Sequence, residues 1–404
     1  MKVVFLGNPV PAAFLTKTVN TNYSVADNIA QNSLIAGLFE KYQDDFSVIT
    51  AAANFESPAI LNRRTRRTRL RLDCGITARA VGNLNYNKPL YYLSLLWTYT
   101  RELLRVFRES PDATDFLVIT SGPYIFTALP VVVARLRRRI CFVPFLIGAV
   151  ELPDYTGIYH LASKLSRITI RAADATITYV ERSSIAYTKK PYVAILYALD
   201  EDKIRLSSVY VGQAKSETFT VLYSGALTKI KGADLLMAAI DKAPDRYRWV
   251  ICGAGEFEED IRRLAQAHSN VEFLGLVGQE ECIRLQAEAN VLIALQSVEG
   301  DEYRYYSEYA ATAKLIEYLL SGTPVISPDI GAVSSQIRPY LNFLTSQSPD
   351  DIIGLIDKIS ADYATYLSQA ARGRDYVMEH ANARYQNRLV IEFLERVCRD
   401  KLGQ

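Results

Sequence analysis

Residues 290–327 read NVLIALQSVEGDEYRYYSEYAATAKLIEYLLSGTPVIS, and the order of patterns in this stretch decides the fold. A short β-branched and aliphatic run, Val291 to Leu295, gives way to a polar, Tyr-rich loop. A helix begins near Thr312, and Ser321-Gly322 ends it before a second apolar run at Val325-Ile326. The spacing predicts a strand-loop-helix-strand unit. In an open parallel sheet such a loop lies at the carboxyl ends of the strands, and the helix that follows turns its unpaired N–H groups and positive dipole end toward the same crevice. An anion is the expected guest. Ala310, Ala311 and Ala313 let a ligand approach the backbone, Thr312 adds a hydroxyl beside Leu315, and Lys314 and Glu317 share a helix face. The plainer alternative is an ordinary amphipathic helix with a solvated Lys/Glu pair.

Outward from that unit, composition bounds the class. The chain has 404 residues, 49% hydrophobic and 22% charged, which suits a globular protein with two cores. Cys74, Cys141, Cys252, Cys282 and Cys398 are scattered without a C-x-x-C pair or a close His, so neither a disulfide framework nor a zinc site is expected. A reducing, cytoplasmic compartment fits that usage. The opening MKVVFLGNPVP is too short for a signal-peptide core, and no apolar run reaches the roughly 18 residues of a membrane span. Membrane contact, if made, is expected to be peripheral, at the inner face.

Charge is divided unevenly. Residues 1–200 hold 24 Lys+Arg against 15 Asp+Glu, and the remainder 22 against 29. The basic excess gathers at Arg63, Arg64, Arg66, Arg67, Arg69 and Arg71, and again at Arg135, Arg137, Arg138 and Arg139. No recognition-helix or RNP-type pattern accompanies them, so nucleic acid is set aside. An anionic membrane surface is the expected partner, because the second cluster follows Leu129 to Ala134 and Leu95-Leu96-Trp97, Leu103-Leu104 and Phe107 form an aromatic-aliphatic stripe nearby. Solvated loops around a core helix are the alternative.

The first half alternates strands and helices. Lys2 to Leu6 reads as a buried strand ending in Gly7-Asn8-Pro9, a turn at the carboxyl end expected to sit in an inter-domain cleft. Further strands are expected at 46–51, 116–120, 140–147, 175–179 and 192–197, with helices at 89–107 and 159–172 among others. Of His160, His268 and His380, only His160 follows a cleft-side loop. No Ser/His/Asp or metal constellation can be assembled.

The second half starts after a polar connector. Phe219 to Tyr223 reads as a strand leading into Ser224-Gly225-Ala226-Leu227-Thr228-Lys229-Ile230-Lys231-Gly232 and a helix from Ala233. Gly225 permits backbone approach, and a lysine at a helix start offers charge to a diphosphate. Trp249 to Cys252 runs into Gly253-Ala254-Gly255-Glu256. As a dinucleotide fingerprint this is weak, since the third glycine falls at Glu258.

The run Thr312 to Ile326 resembles the donor-binding signature of glycosyltransferase family 4, in the form common among bacterial capsule and exopolysaccharide enzymes. That signature is of the type P-S/T-K-x-x-E-Y-x-x-x-G-x-P-V-I, with Thr312 standing for Pro and Ala313 for Ser/Thr. The resemblance implies a retaining, metal-independent transferase with the GT-B fold, that is, α/β with two Rossmann-like domains whose parallel sheets face a central cleft. It implies that Glu317 holds the ribose hydroxyls of a sugar nucleotide. Many members carry a second Glu eight positions earlier; Tyr309 stands there, with Glu308 adjacent and Glu299 and Glu302 upstream, so which acid reaches the sugar stays open.

Residues 224–232 are similar to the family's G-R-L-x-x-x-K-G loop, with Lys231 in the Lys place, Ala226 in the Arg place and Lys229 close by. The family's G-x-G-E/P turn, here Gly253 and Gly255, lines the cleft, and 270–277 is where the base packs. Gly148 to Asp154 is weakly similar to a D-x-W-P-type segment, in which Glu151 or Asp154 would touch the acceptor or cap a helix. The implied catalytic candidates are Lys231, Glu308 and Glu151. The resemblance covers 218 to about 345 well and 1–200 in outline.

The expected organisation is an acceptor-binding domain at 1–200, a linker at 201–217, a nucleotide-sugar-binding domain at 218–380, and a helix at 381–404 that returns to the first domain. The expected function is sugar transfer from a nucleotide sugar, a substrate rather than a cofactor, to a saccharide or lipid-linked saccharide in cell-surface polysaccharide synthesis. An inactive GT-B scaffold, suggested by Ala226 and Tyr309, and a sugar-nucleotide epimerase are the alternatives.

Overall fold

The computed structural model describes residues 1–11, 25–51, 66–82, 88–147, 158–199, 201–212, 215–297, 300, 307–309 and 313–403. They form two compact units, one of 1–198 with 383–404 and the other of 199–382.

The first unit is built on β1 (Lys2–Gly7), β2 (Phe46–Thr50), β3 (Thr68–Arg71), β4 (Thr77–Ala80), β5 (Asp115–Ser121), β6 (Arg139–Leu146), β7 (Thr176–Thr178) and β8 (Tyr192–Ala194). They form one sheet in the order β3-β4-β2-β1-β5-β6-β7-β8. All pairs are parallel except β3 with β4. β1 and β5 read as unbroken apolar runs because helices cover both faces of a parallel sheet. On one face Val4, Leu6, Phe116, Val118 and Phe142 meet Tyr99, Leu103 and Phe107 of α2 (Lys88–Glu109) and Val131 of α3 (Ile125–Ala134). Between α1 (Val25–Tyr42) and α2 the chain lays down β2, the edge strand β3 and β4, and beyond β6 come α4 (Ile158–Arg171) and α5 (Glu181–Tyr187).

The other face is closed by the last helix of the chain. After the second unit the chain returns as α13 (Ala383–Leu402), which packs on α1 and β6. Asn387 Nδ2 donates to Ser33 O at 3.0 Å, Lys41 pairs with Glu395 at 2.8 Å and Lys401 with Asp174 at 3.1 Å.

The two arginine clusters divide between scaffold and surface. Arg135 donates to the carbonyls of Ile140 and Ala172 and to Asp174, and Arg139 pairs with Asp115 at 3.3 Å and donates to Leu402 O. These two brace strands and helices, while Arg137 is exposed. In the first cluster Arg63 and Arg64 lie outside the described residues, Arg67 pairs with the buried Glu102 at 2.9 Å, and Arg69 and Arg71 stand on β3. A charged, antiparallel edge strand resists pairing with other chains. The stripe read at 95–107 also splits, since Leu95, Leu103 and Phe107 are core and Trp97 and Leu104 are exposed.

The second unit holds β9 (Thr220–Ser224), β10 (Arg248–Cys252), β11 (Val271–Gly275), β12 (Val291–Ile293), β13 (Val325–Pro328) and β14 (Asn342–Leu344), all parallel, in the order β11-β10-β9-β12-β13-β14. From β9 the chain steps outward to β11, then crosses back to lay β12 on the other side of β9. The order therefore reverses between β9 and β12, and ligands of such sheets bind outside the carboxyl ends at that point. Residues 201–217, expected as a linker, include α6 (Glu201–Tyr210), whose Ser207 Oγ donates to Leu320 O at 3.0 Å. The remaining helices are α7 (Ala233–Lys242), α8 (Glu258–Ala267), α9 (Gln279–Glu288), α10 (Ala313–Leu320), α11 (Pro349–Ala361) and α12 (Tyr363–His380).

Candidate functional site

At the reversal point the loop after β9 makes a tight 3-10 turn over Lys229–Lys231, which Gly232 ends in the left-handed region at φ 68°. A Cβ at Gly232 would lie 2.6 Å from Leu295 Cβ, so the turn seats against the end of β12 only with glycine. Ser297 N donates to Ile230 O at 3.1 Å and fixes the same contact from the other side. This seating directs Lys231 into a pocket that it shares with Lys314, Gln296 and Ser327, with Leu295, Leu315 and Ile330 among its apolar walls. No carboxylate is among the described residues lining it.

Lys314, on the first turn of α10, is the more deeply set of the two lysines. Its Nζ has no hydrogen-bond partner among the described residues and lies 4.4 Å from the Tyr223 ring centroid and 5.9 Å from that of Tyr318. Burial, and then the charge of Lys231, push its pKa down to about 7. Burial also lowers that of Lys231. Two tyrosine faces and the Gly225 backbone thus hold the Lys314 amine, which has no ion-pair partner among the described residues. Tyr318 is itself locked, since its hydroxyl donates to Ser224 O at 2.9 Å and accepts from Ser224 N at 2.9 Å. Tyr223 and Tyr318 were not singled out from sequence, although Tyr318 lies four residues after Lys314 and so on the same helix face.

The glycines expected to admit a ligand have a nearer partner. Gly225 N donates to Cys252 O at 2.9 Å, Leu227 N to Ala254 O at 2.9 Å, and Gly253 N to Gly275 O at 2.8 Å, so three successive loops continue the sheet beyond its strands. A Cβ at Gly253 would stand 1.8 Å from Gly225 O, and one at Gly255 2.4 Å from Leu227 O. Loop-to-loop approach is what Gly253 and Gly255 provide. Lys229 is exposed, and its N–H donates to Glu256 Oε1 at 2.7 Å.

Glu317 lies one turn beyond Lys314, with its carboxylate engaged by Lys203 of α6 and a side chain 38% exposed. Glu308 stands on a short helical segment tied to the 330–332 loop by the hydrogen bond from Ala332 N to Ser307 O, 2.9 Å. In the first unit, Asn8 N and Oδ1 bond the Gln31 amide at 3.1 and 2.8 Å, and Gly7 O accepts from Tyr99 OH at 2.6 Å. Those contacts fix the turn after β1. Glu151, Glu299 and Thr312, and the side chain of His160, lie outside the described residues.

Residues 211–375, which carry this pocket, match the family described as glycosyl transferases group 1. The O-antigen biosynthesis glycosyltransferase WbnH of Escherichia coli is 27% identical over 178 residues, 43% of this chain and 47% of that protein. The match thus spans about half the length of that relative. Among solved structures, Anabaena Alr3699/HepE in complex with UDP has a TM-score of 0.63 at 14% identity, covering 98% of this chain and 100% of that one. The apo form of the lipopolysaccharide outer core galactosyltransferase WaaB has a TM-score of 0.65 at 15% identity, covering 97% and 100%. At such identities the likeness is one of fold. The chain has the GT-B fold, two parallel-sheet α/β units, and its residues 211–375 are similar to glycosyl transferases group 1.

Proposed function

We propose that the protein transfers a sugar from a nucleotide-sugar donor to a saccharide acceptor in O-antigen or related cell-surface polysaccharide synthesis. The observation that carries this reading is the convergence of Lys231 and Lys314 on one pocket, with no carboxylate among its described lining residues, at the reversal point of the second sheet. A diphosphate supplies the missing counter-charge. As the sugar leaves, negative charge grows on that diphosphate, and Lys231 and Lys314, the latter protonated in the diphosphate's presence, stabilise it with the N-terminus of α10. Retention and a metal-independent mechanism rest on the resemblance at 312–326, and the lipid-linked acceptor on the basic first half. The second reading, an inactive scaffold, is favoured by Ala226, which is exposed where the resemblance asks for a bidentate phosphate clamp. Turnover of UDP-, GDP-, dTDP- or ADP-sugars by purified protein decides between them, after a thermal-shift screen selects the nucleotide.

Two substitutions test the pocket. Lys231→Ala is expected to weaken a nucleoside diphosphate by about 1.5–3 kcal/mol and the free nucleoside hardly at all, since the contact is with phosphate charge. Equal losses in titration calorimetry would put Lys231 outside the site. Glu317→Gln is expected to weaken the nucleotide sugar by a similar amount with unfolding unchanged, because its exposed pair with Lys203 adds roughly 0–1 kcal/mol to stability. Unaltered donor affinity would leave Glu317 as a partner of α6 alone.

A further inference from the structure

Helix α2 is apolar on two sides. Its inner side, Leu95, Tyr99, Leu103 and Val106, is core. Its outer side should then be polar, as on an ordinary surface helix. Instead Leu90, Leu93, Trp97 and Leu104 are 42, 62, 68 and 44% exposed. With Arg101 and Arg108, both exposed, they recur every three or four residues and form one stripe about 80° wide at 100° per residue. The two acids of the helix lie off it, Glu102 buried and Glu109 bonded to Arg79 and Arg105. The neighbouring α3 carries Val133 in its last turn, and Leu136 follows it, 52 and 85% exposed, before the exposed Arg137.

We propose that the outer stripe of α2 docks on an anionic lipid surface, Trp97 and the leucines entering the headgroup boundary and Arg101 and Arg108 pairing with lipid phosphates. Charge selects this occupant. Arg101 is 3.6 Å from the buried Glu102, but no carboxylate stands on the stripe itself, so a second copy of it would bring exposed arginines together, whereas an anionic bilayer answers both the apolar row and the cations. No helix among the described residues is long and apolar enough to cross a membrane, so the contact is along the helix side. The inference stands apart from glycosyl transfer, and it assigns docking to α2 in place of the cluster at 135–139, half of which is scaffold.

Trp97 is its own reporter, because the chain has two tryptophans and the other, Trp249, is 1% exposed. Added phosphatidylglycerol/phosphatidylcholine vesicles are expected to blue-shift the emission and carry the protein down on sedimentation, with pure phosphatidylcholine doing neither at physiological salt. The double variant Leu93→Gln/Leu104→Gln changes only exposed positions and should lower partitioning about tenfold or more, as should Arg101→Glu/Arg108→Glu. Far-UV circular dichroism equal to the parent's secures the comparison. No shift with anionic vesicles, or equal and salt-indifferent binding to both lipids, overturns the proposal. So does concentration-dependent dimerisation in sedimentation velocity that blue-shifts Trp97 without lipid, which would make a second copy the occupant.

Discussion

Lys314→Met is expected to stabilise the folded protein at pH 7 while abolishing its affinity for a nucleoside diphosphate. Methionine fills the same channel between Tyr223 and Tyr318 without a charge to desolvate. The sign follows from linkage. In the fold the lysine's pKa is about 7, against an ordinary 10.5, so between those values the unfolded chain holds more protons and stability rises with pH. The penalty is fully present below pH 7 and gone above about 10.5. Its size is on the order of 3–5 kcal/mol. Among the groups acting on it, Lys231 opposes the charged form, and Cys252, Cys282 and Glu317 favour it. Urea unfolding at pH 6, 8 and 10 should show the variant's advantage shrink toward pH 10. In the parent, diphosphate binding at pH 8 should take up a proton, visible as a buffer-dependent enthalpy. Parallel stability curves for variant and parent would show that Lys314 is solvated in the folded protein.

Gly253→Ala is expected to cost about 3 kcal/mol or more and to remove diphosphate binding with it. The added methyl meets a backbone oxygen, Gly225 O at 1.8 Å, and not the movable end of a side chain. At φ 144° the residue also occupies a conformation that alanine avoids. Relief requires pushing away the loop at 225–232, which aims Lys231. Gly354→Ala is the control in the same unit: it lies in α11 with nothing within 4 Å of the new Cβ, and should add roughly 0.5–1 kcal/mol. Equal unfolding midpoints for the two variants would contradict the packing described between the loops.

The fold was legible because apolar runs such as Val3 to Leu6 and Val291 to Leu295 can only be strands buried on both faces, and the breaks between them are helix starts. Lys231 and Lys314 were legible for a related reason, since a lysine just after a strand end or on a helix's first turn faces the ligand side of the sheet. What a pattern does not carry is the identity of a distant partner. Arg135 and Arg139 looked like surface charge, yet their partners lie at 172 and 174, and at 115 and 402. Helix α6 looked like a connector because its face is largely charged and its buried residue is the small Ser207, which bonds Leu320 O at the end of α10. Glycine in a G-x-G turn signals a close approach without naming what approaches.

The chain order of the first unit has a consequence for its synthesis. The sheet of residues 1–198 is closed by α13, which begins at residue 383, after the whole second unit has been made. At about 5–20 residues per second, the nascent N-terminal sheet waits roughly 10–40 s with Cys141 and its neighbours uncovered. During that interval an apolar face large enough to need a 20-residue helix is open to other nascent chains. Chaperone dependence should therefore concentrate late in translation. A copy of α13 supplied as a separate peptide should rescue a chain stopped at residue 382.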